Sequence, residues 1–214
     1  MQMMKSIFRG VGQVMFQGNA LSGALMLAGI ACNSLLMCLF ALAGSAIGTC
    51  TAVALRYHAG RICDGLYGFN AALVGIVVPC FMPIHAVSVL LMVVACVLSA
   101  LVTRLFDRQR FVPALTAPFV LITWAMLLLS HVFPQRQLPA TTAAGTAESF
   151  SLIRAVSLSF GQIMLQGNNL LTGLLFFLAI CVNSRKMAME SLVACALCLA
   201  VVCVPGVSTT SVNN

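Results

Sequence analysis

Long apolar runs bounded by charged residues or helix breakers recur along the chain at about 10–31, 35–55, 65–82, 84–103 and 112–130, and again at 161–182 and 188–206. The runs are continuous and lack the ten-residue alternation of a membrane barrel, so the expected elements are helices. Each run is about the 20 residues a helix needs to cross the hydrocarbon core, which predicts about seven membrane segments. The polar, Ala/Thr/Gly-rich stretch from Gln135 to Ser149 is the one obvious linker. It divides the chain into residues 1–134 with five segments, a linker over 135–150, and residues 151–214 with two segments.

The polar positions inside these runs repeat. GQVMFQGN (12–19) returns as GQIMLQGN (161–168), with Gln13 and Gln162 149 residues apart and Asn33 and Asn183 150 apart. The likeness continues, since NALSGALMLAGIACNS (19–34) matches NNLLTGLLFFLAICVNS (168–184). Polar residues held in register over that length indicate an internal duplication. Five segments, an odd number, separate the copies, so the second copy enters the membrane from the opposite side and the repeat is inverted. Inverted repeats build many transporters and channels, whose solute path runs near the midplane between the halves along broken helices. The two octets are candidates for that lining.

Composition places the chain in lipid: 61% of residues are hydrophobic, 7% are charged, and the mean hydropathy is +1.07. The formal net charge of +7 does not point to nucleic acid, because the Lys and Arg residues sit in short clusters between apolar runs. With Lys5 and Arg9 in the cytoplasm, alternation of the segments puts nine of the eleven positive residues on that side, and only Arg136 and Arg154 outside. The positive-inside rule therefore predicts a cytoplasmic N-terminus. The opening MQMMKSIFRG does not resemble a cleavable signal, so the first segment is expected to stay in the protein. The ten cysteines are scattered through apolar sequence without metal-ligand spacing and read mostly as small buried side chains. No cofactor is expected.

Three clusters could carry chemistry. Gln13, Gln17 and Asn19 of the first octet, and Gln162 of the second, are costly in a bilayer unless their amides face protein or water. Such amides either meet a solute or bond between packed helices, and both roles stay open here. GLYGFNAAL (65–73) joins two glycines, an aromatic pair and Asn70, and suggests a loop-to-helix break inside the membrane. PALTAPFVLITW (113–124) sets two prolines around Thr116, and Pro118 is expected to leave a nearby carbonyl without its helical donor. Neutral donors and acceptors, aromatic planes and no buried charge suit a small, neutral, planar polar solute. Ion transport is disfavoured because Asp64, Asp107, Glu148 and Glu190 lie at loops or segment edges. Enzymatic chemistry is disfavoured because His58, His85 and His131 are isolated and no nucleophile sits beside a base.

RGVGQVMFQGN, GLYGFNAALVGIVVP and the PALTAPF stretch, in that order, resemble the signature segments of the urea transporter family. The resemblance implies a passive urea channel in the cell inner membrane, built from two inverted five-helix halves and assembled as a homotrimer in lipid. It implies a narrow filter in which phenylalanine slots hold urea flat while its amide protons donate to a ladder of oxygens. Carried onto this chain, the filter residues are Gln13, Val14 and Phe16, then Phe69 and Leu73, then Thr116, and from the second octet Gln162, Ile163 and Leu165. Leu165 stands where the first octet has Phe16. By the first-half spacing, a second YGFN segment and a second threonine–proline segment would fall beyond Asn214, so the chain is expected to be a C-terminally truncated member with a partial second repeat. Two further readings stand beside urea conduction: an inactive remnant or assembly subunit of the family, and a channel for another small neutral amide.

Overall fold

The computed structural model describes residues 2–109, 113–130, 152–167 and 169–202. The linker over 135–150, the sequence positions His131, Arg136, Glu148 and Asn168, and the end of the chain from Val207 to Asn214 lie outside the described residues. Among the described residues all regular structure is helical: α1 (Gln2–Gln13), α2 (Ala20–Asn33), α3 (Leu35–Ala54), α4 (Ala59–Cys63), α5 (Phe69–Phe81), α6 (Ala86–Gln109), α7 (Ala117–Ser130), α8 (Leu152–Gln162), α9 (Leu170–Asn183) and α10 (Arg185–Val202).

The apolar runs at 35–55 and 84–103 become α3 and α6, the two described helices long and apolar enough to span a bilayer alone. The runs at 10–31 and 161–182 do not form single helices. Each is cut by its octet. In the first, α1 stops at Gln13 and Phe16 takes a left-handed φ of 58°. The Gln17 N–H donates to the Gly12 carbonyl (3.0 Å) and the Phe16 N–H to that of Gln13 (2.9 Å). In the second, Leu165 has φ 60°, the Gln166 N–H donates to Gly161 (3.0 Å) and the Leu165 N–H to Gln162 (3.0 Å). This pair of reversed bonds around one left-handed residue is a helix C-cap that glycine ordinarily fills. The following helices start on asparagine caps, Asn19 accepting from the Leu21 N–H (3.0 Å) and Asn169 from that of Leu171 (2.9 Å).

The two units then pack on each other. Ser22 Oγ donates to the Ala179 carbonyl (2.7 Å), and Thr172 Oγ1 donates to the Gly29 carbonyl (2.8 Å). As the chain advances from Ser22 to Gly29 on α2, its partners run backwards from Ala179 to Thr172 on α9, so these helices are antiparallel. At the two ends of this pair, Asn33 Nδ2 donates to Gln166 Oε1 (2.6 Å) and Asn183 Nδ2 to Gln17 Oε1 (2.8 Å). Met26, Ile30, Phe176 and Ile180 fill the space between with Val11 and Met164.

α5 runs through the first unit against α3 and α6, and every residue from Phe69 to Pro79 is buried. The outward faces of α3, α6, α7, α9 and α10 carry exposed Leu39, Leu90, Trp124, Leu174 and Leu197. An apolar exterior over a hydrogen-bonded helical interior is the arrangement hydrocarbon demands.

Candidate functional site

A cleft of about 570 Å³ opens where three of the breaks meet. The first octet contributes Gln13 and Phe16, the turn into α5 and its first residue contribute Leu66 and Phe69, and the stretch before α7 contributes Pro113, Ala114 and Leu115. Thr103, Phe106 and Asp107 of α6 and Arg61 of α4 complete the wall.

Local bonds fix these pieces. The segment between α4 and α5 is tied to α1 by Arg9 Nη1 donating to the Cys63 carbonyl (2.9 Å) and Gln13 Nε2 donating to that of Asp64 (3.0 Å). Gly65 lies directly against the backbone of Arg9 and Gly10 with φ +81°, a conformation and an approach that a Cβ would obstruct. One N–H of the Gln13 amide is committed to Asp64, which fixes the orientation of the group, and its oxygen is an acceptor.

Asn70, wholly buried, stitches α5 to the start of α7: Nδ2 donates to the Leu115 carbonyl (3.1 Å), and Oδ1 accepts from the Phe119 N–H (3.2 Å). Leu115 itself is left-handed, with φ 42°. The carbonyl that Pro118 was expected to leave spare is that of Ala114, and it is taken by the Ala117 N–H (3.0 Å). The Thr116 carbonyl accepts from Val120 (3.0 Å), so the polar spot expected there is already satisfied.

Of the residues the sequence pointed to, Gln13, Phe16 and Phe69 are brought together on this cleft. Val14 and Leu73 are buried in the adjoining core, and Thr116 is exposed next to the cleft residue Leu115. Gln162, Ile163 and Leu165 do not line the cleft and are exposed on the second unit. Gln17 and Gln166 are completely buried between the units, where they bond Asn183 and Asn33. Sequence reasoning passed over Arg61, Phe106 and Asp107. Asp107 read as a segment-edge charge, yet its side chain is 9% exposed, accepts from the Tyr67 O–H (2.7 Å) and is ion-paired with Arg61.

Among the described residues the fold is all-helical, with an apolar exterior, two helix breaks of one design and a cleft lined by an amide and phenylalanines, and it defines a helical integral membrane protein. The urea transporter family profile matches residues 4–214, and the chain belongs to that family. It is 29% identical over 92% of its length to urea transporter 1 of Rattus norvegicus, and 27% identical over 92% to urea transporter 1 of Mus musculus. Over 63% of its length it is 33% identical to urea transporter 1 of Ovis aries. The chain spans about half, 55%, of the length of the rat and mouse relatives.

Proposed function

We propose that the protein conducts urea passively across the cell inner membrane, through a path that includes the cleft beside Gln13. The observation that carries this reading is the convergence of all three signature segments on one cleft, with Gln13, Phe16 and Phe69 all on its wall. A planar amide entering there gives up water hydrogen bonds, donates to the Gln13 oxygen and lies against the Phe faces. An ion beside Gln13, Phe16 and Phe69 meets no charged group to compensate its lost hydration, the Arg61 and Asp107 of the same cleft being paired with each other.

Residues 1–134 and 151–214 are read as two inverted repeats joined by the 135–150 linker, with the N-terminus cytoplasmic and the chain embedded in lipid as a homotrimer. The antiparallel α2–α9 pair and its matched hydrogen bonds support the inversion. Val14, Leu73 and Thr116 are assigned to the path through the segments that carry them, and Gln162, Ile163 and Leu165 to its continuation on the second repeat.

The test is urea entry into liposomes containing the chain, followed by stopped-flow light scattering against empty vesicles. Saturable entry at least about tenfold above empty vesicles, reduced several-fold by Gln13→Ala combined with Thr116→Val, is the expected result. Entry that ignores both substitutions removes the filter assignment. A second reading, an assembly subunit without its own path, draws on the exposure of Gln162, Ile163 and Leu165 outside the cleft. It predicts no flux above empty vesicles from folded protein alone.

A further inference from the structure

A second, polar cavity of about 390 Å³ lies beside the cleft, lined by His58, Gly60, Asp64 and Arg104. The two cavities share two lining side chains, Arg61 and Asp107, which are also the two members of one ion pair. We infer that the Arg61–Asp107 pair is the size-determining constriction at one end of the cleft, a partition that solutes pass only when the guanidinium moves aside. The inference rests on the conduction proposed above and assigns to it two residues outside the filter.

The halves of the pair are built differently. Asp107 stands on the 24-residue α6, its side chain is 9% exposed, and its second oxygen is held by the Tyr67 O–H at 2.7 Å. Arg61 stands on the five-residue α4, and its side chain is 46% exposed. A half-exposed guanidinium is held weakly, because water and counterions compete for it. When it leaves, the carboxylate keeps the Tyr67 O–H as a hydrogen-bond donor, so opening does not leave it without a partner. Arg104, the other cation on this wall, sits over the Tyr57 ring with its guanidinium carbon 5.2 Å from the centroid. In the closed state the paired charges cancel, and the barrier they present to a neutral solute is steric.

The experiment measures urea and N,N′-dimethylurea entry into liposomes holding the full chain, for the parent, Arg61→Ala, and the charge swap Arg61→Asp with Asp107→Arg. Arg61→Ala is expected to raise the dimethylurea-to-urea ratio at least about threefold, and the swap to return it to the parental value. Arg61→Gln carries the same test if the alanine variant does not fold. A ratio unchanged by Arg61→Ala, with urea still entering, overturns the constriction and leaves urea conduction standing. If the parent carries no urea at all, conduction as proposed fails on its own. In that event solute entry gained on removing Arg61 upholds the constriction, and no gain overturns it.

Discussion

Gln13 and Gln17 lie four residues apart in one octet and carry the same side chain, yet they do opposite work. Gln13 lines the cleft, whereas Gln17 is wholly buried, donating to the Met15 carbonyl (2.6 Å) and accepting from Asn183. Gln166 repeats the second role, bonding the Met164 carbonyl (2.9 Å) and Asn33. Replacing Gln17 by Met keeps the volume but strands the buried Met15 carbonyl and removes the acceptor of the Asn183 amide. Unmade buried hydrogen bonds cost roughly 1–3 kcal/mol each, so Gln17→Met and Gln166→Met should each lower the thermal midpoint in detergent by several degrees. Unchanged midpoints would mean these amides do not hold the units together. Which amide faces solute and which faces protein was not legible in the sequence, because both choices satisfy a glutamine in lipid equally well. The left-handed turn at Phe16 is what separates them.

Helix breaks hidden inside apolar runs are the element-scale feature that hydropathy misses. Val14, Met15 and Phe16 continue the apolar signal while the backbone reverses, since hydrophobicity carries no information on φ. The repeat itself was legible, because Gln, Gly and Asn return in register, and the structure gives both octets one capping geometry. The chain then turns tightly enough that each following helix touches the one before it. Gly23 meets the Phe8 carbonyl and Gly173 meets the Ser157 carbonyl, so a Cβ at either position strikes fixed backbone. Gly23→Ala and Gly173→Ala should therefore both destabilise, by about 1–3 kcal/mol, although alanine is the better helix former. Denaturant titration of each variant checks this. Stabilisation by Gly173→Ala alone would mean that the second break is looser than the first.

At the scale of the whole molecule, residues far apart in sequence decide the outcome, and here the sequence was least informative. Asp107 reaches the cleft only because α6 packs against α5, and Arg61 meets it across a separation of 46 positions that no local pattern records. Topology, by contrast, is testable from the repeat. Lys5 on α1 and Arg154 on α8 occupy corresponding places, 149 residues apart, and both are exposed. If the second unit enters the membrane inverted, these positions face opposite compartments although they occupy the same place in the repeat. Lys5→Cys and Arg154→Cys variants, treated in intact cells with a membrane-impermeant maleimide, separate the cases, with peptide-level mass spectrometry to set aside the native cysteines. The expected result is labelling at Arg154→Cys from outside, with Lys5→Cys labelled only after the membrane is opened. Labelling of both from one side would make the repeat parallel. That outcome would conflict with the antiparallel α2–α9 packing, and the proposed path through two inverted halves would lose its symmetry.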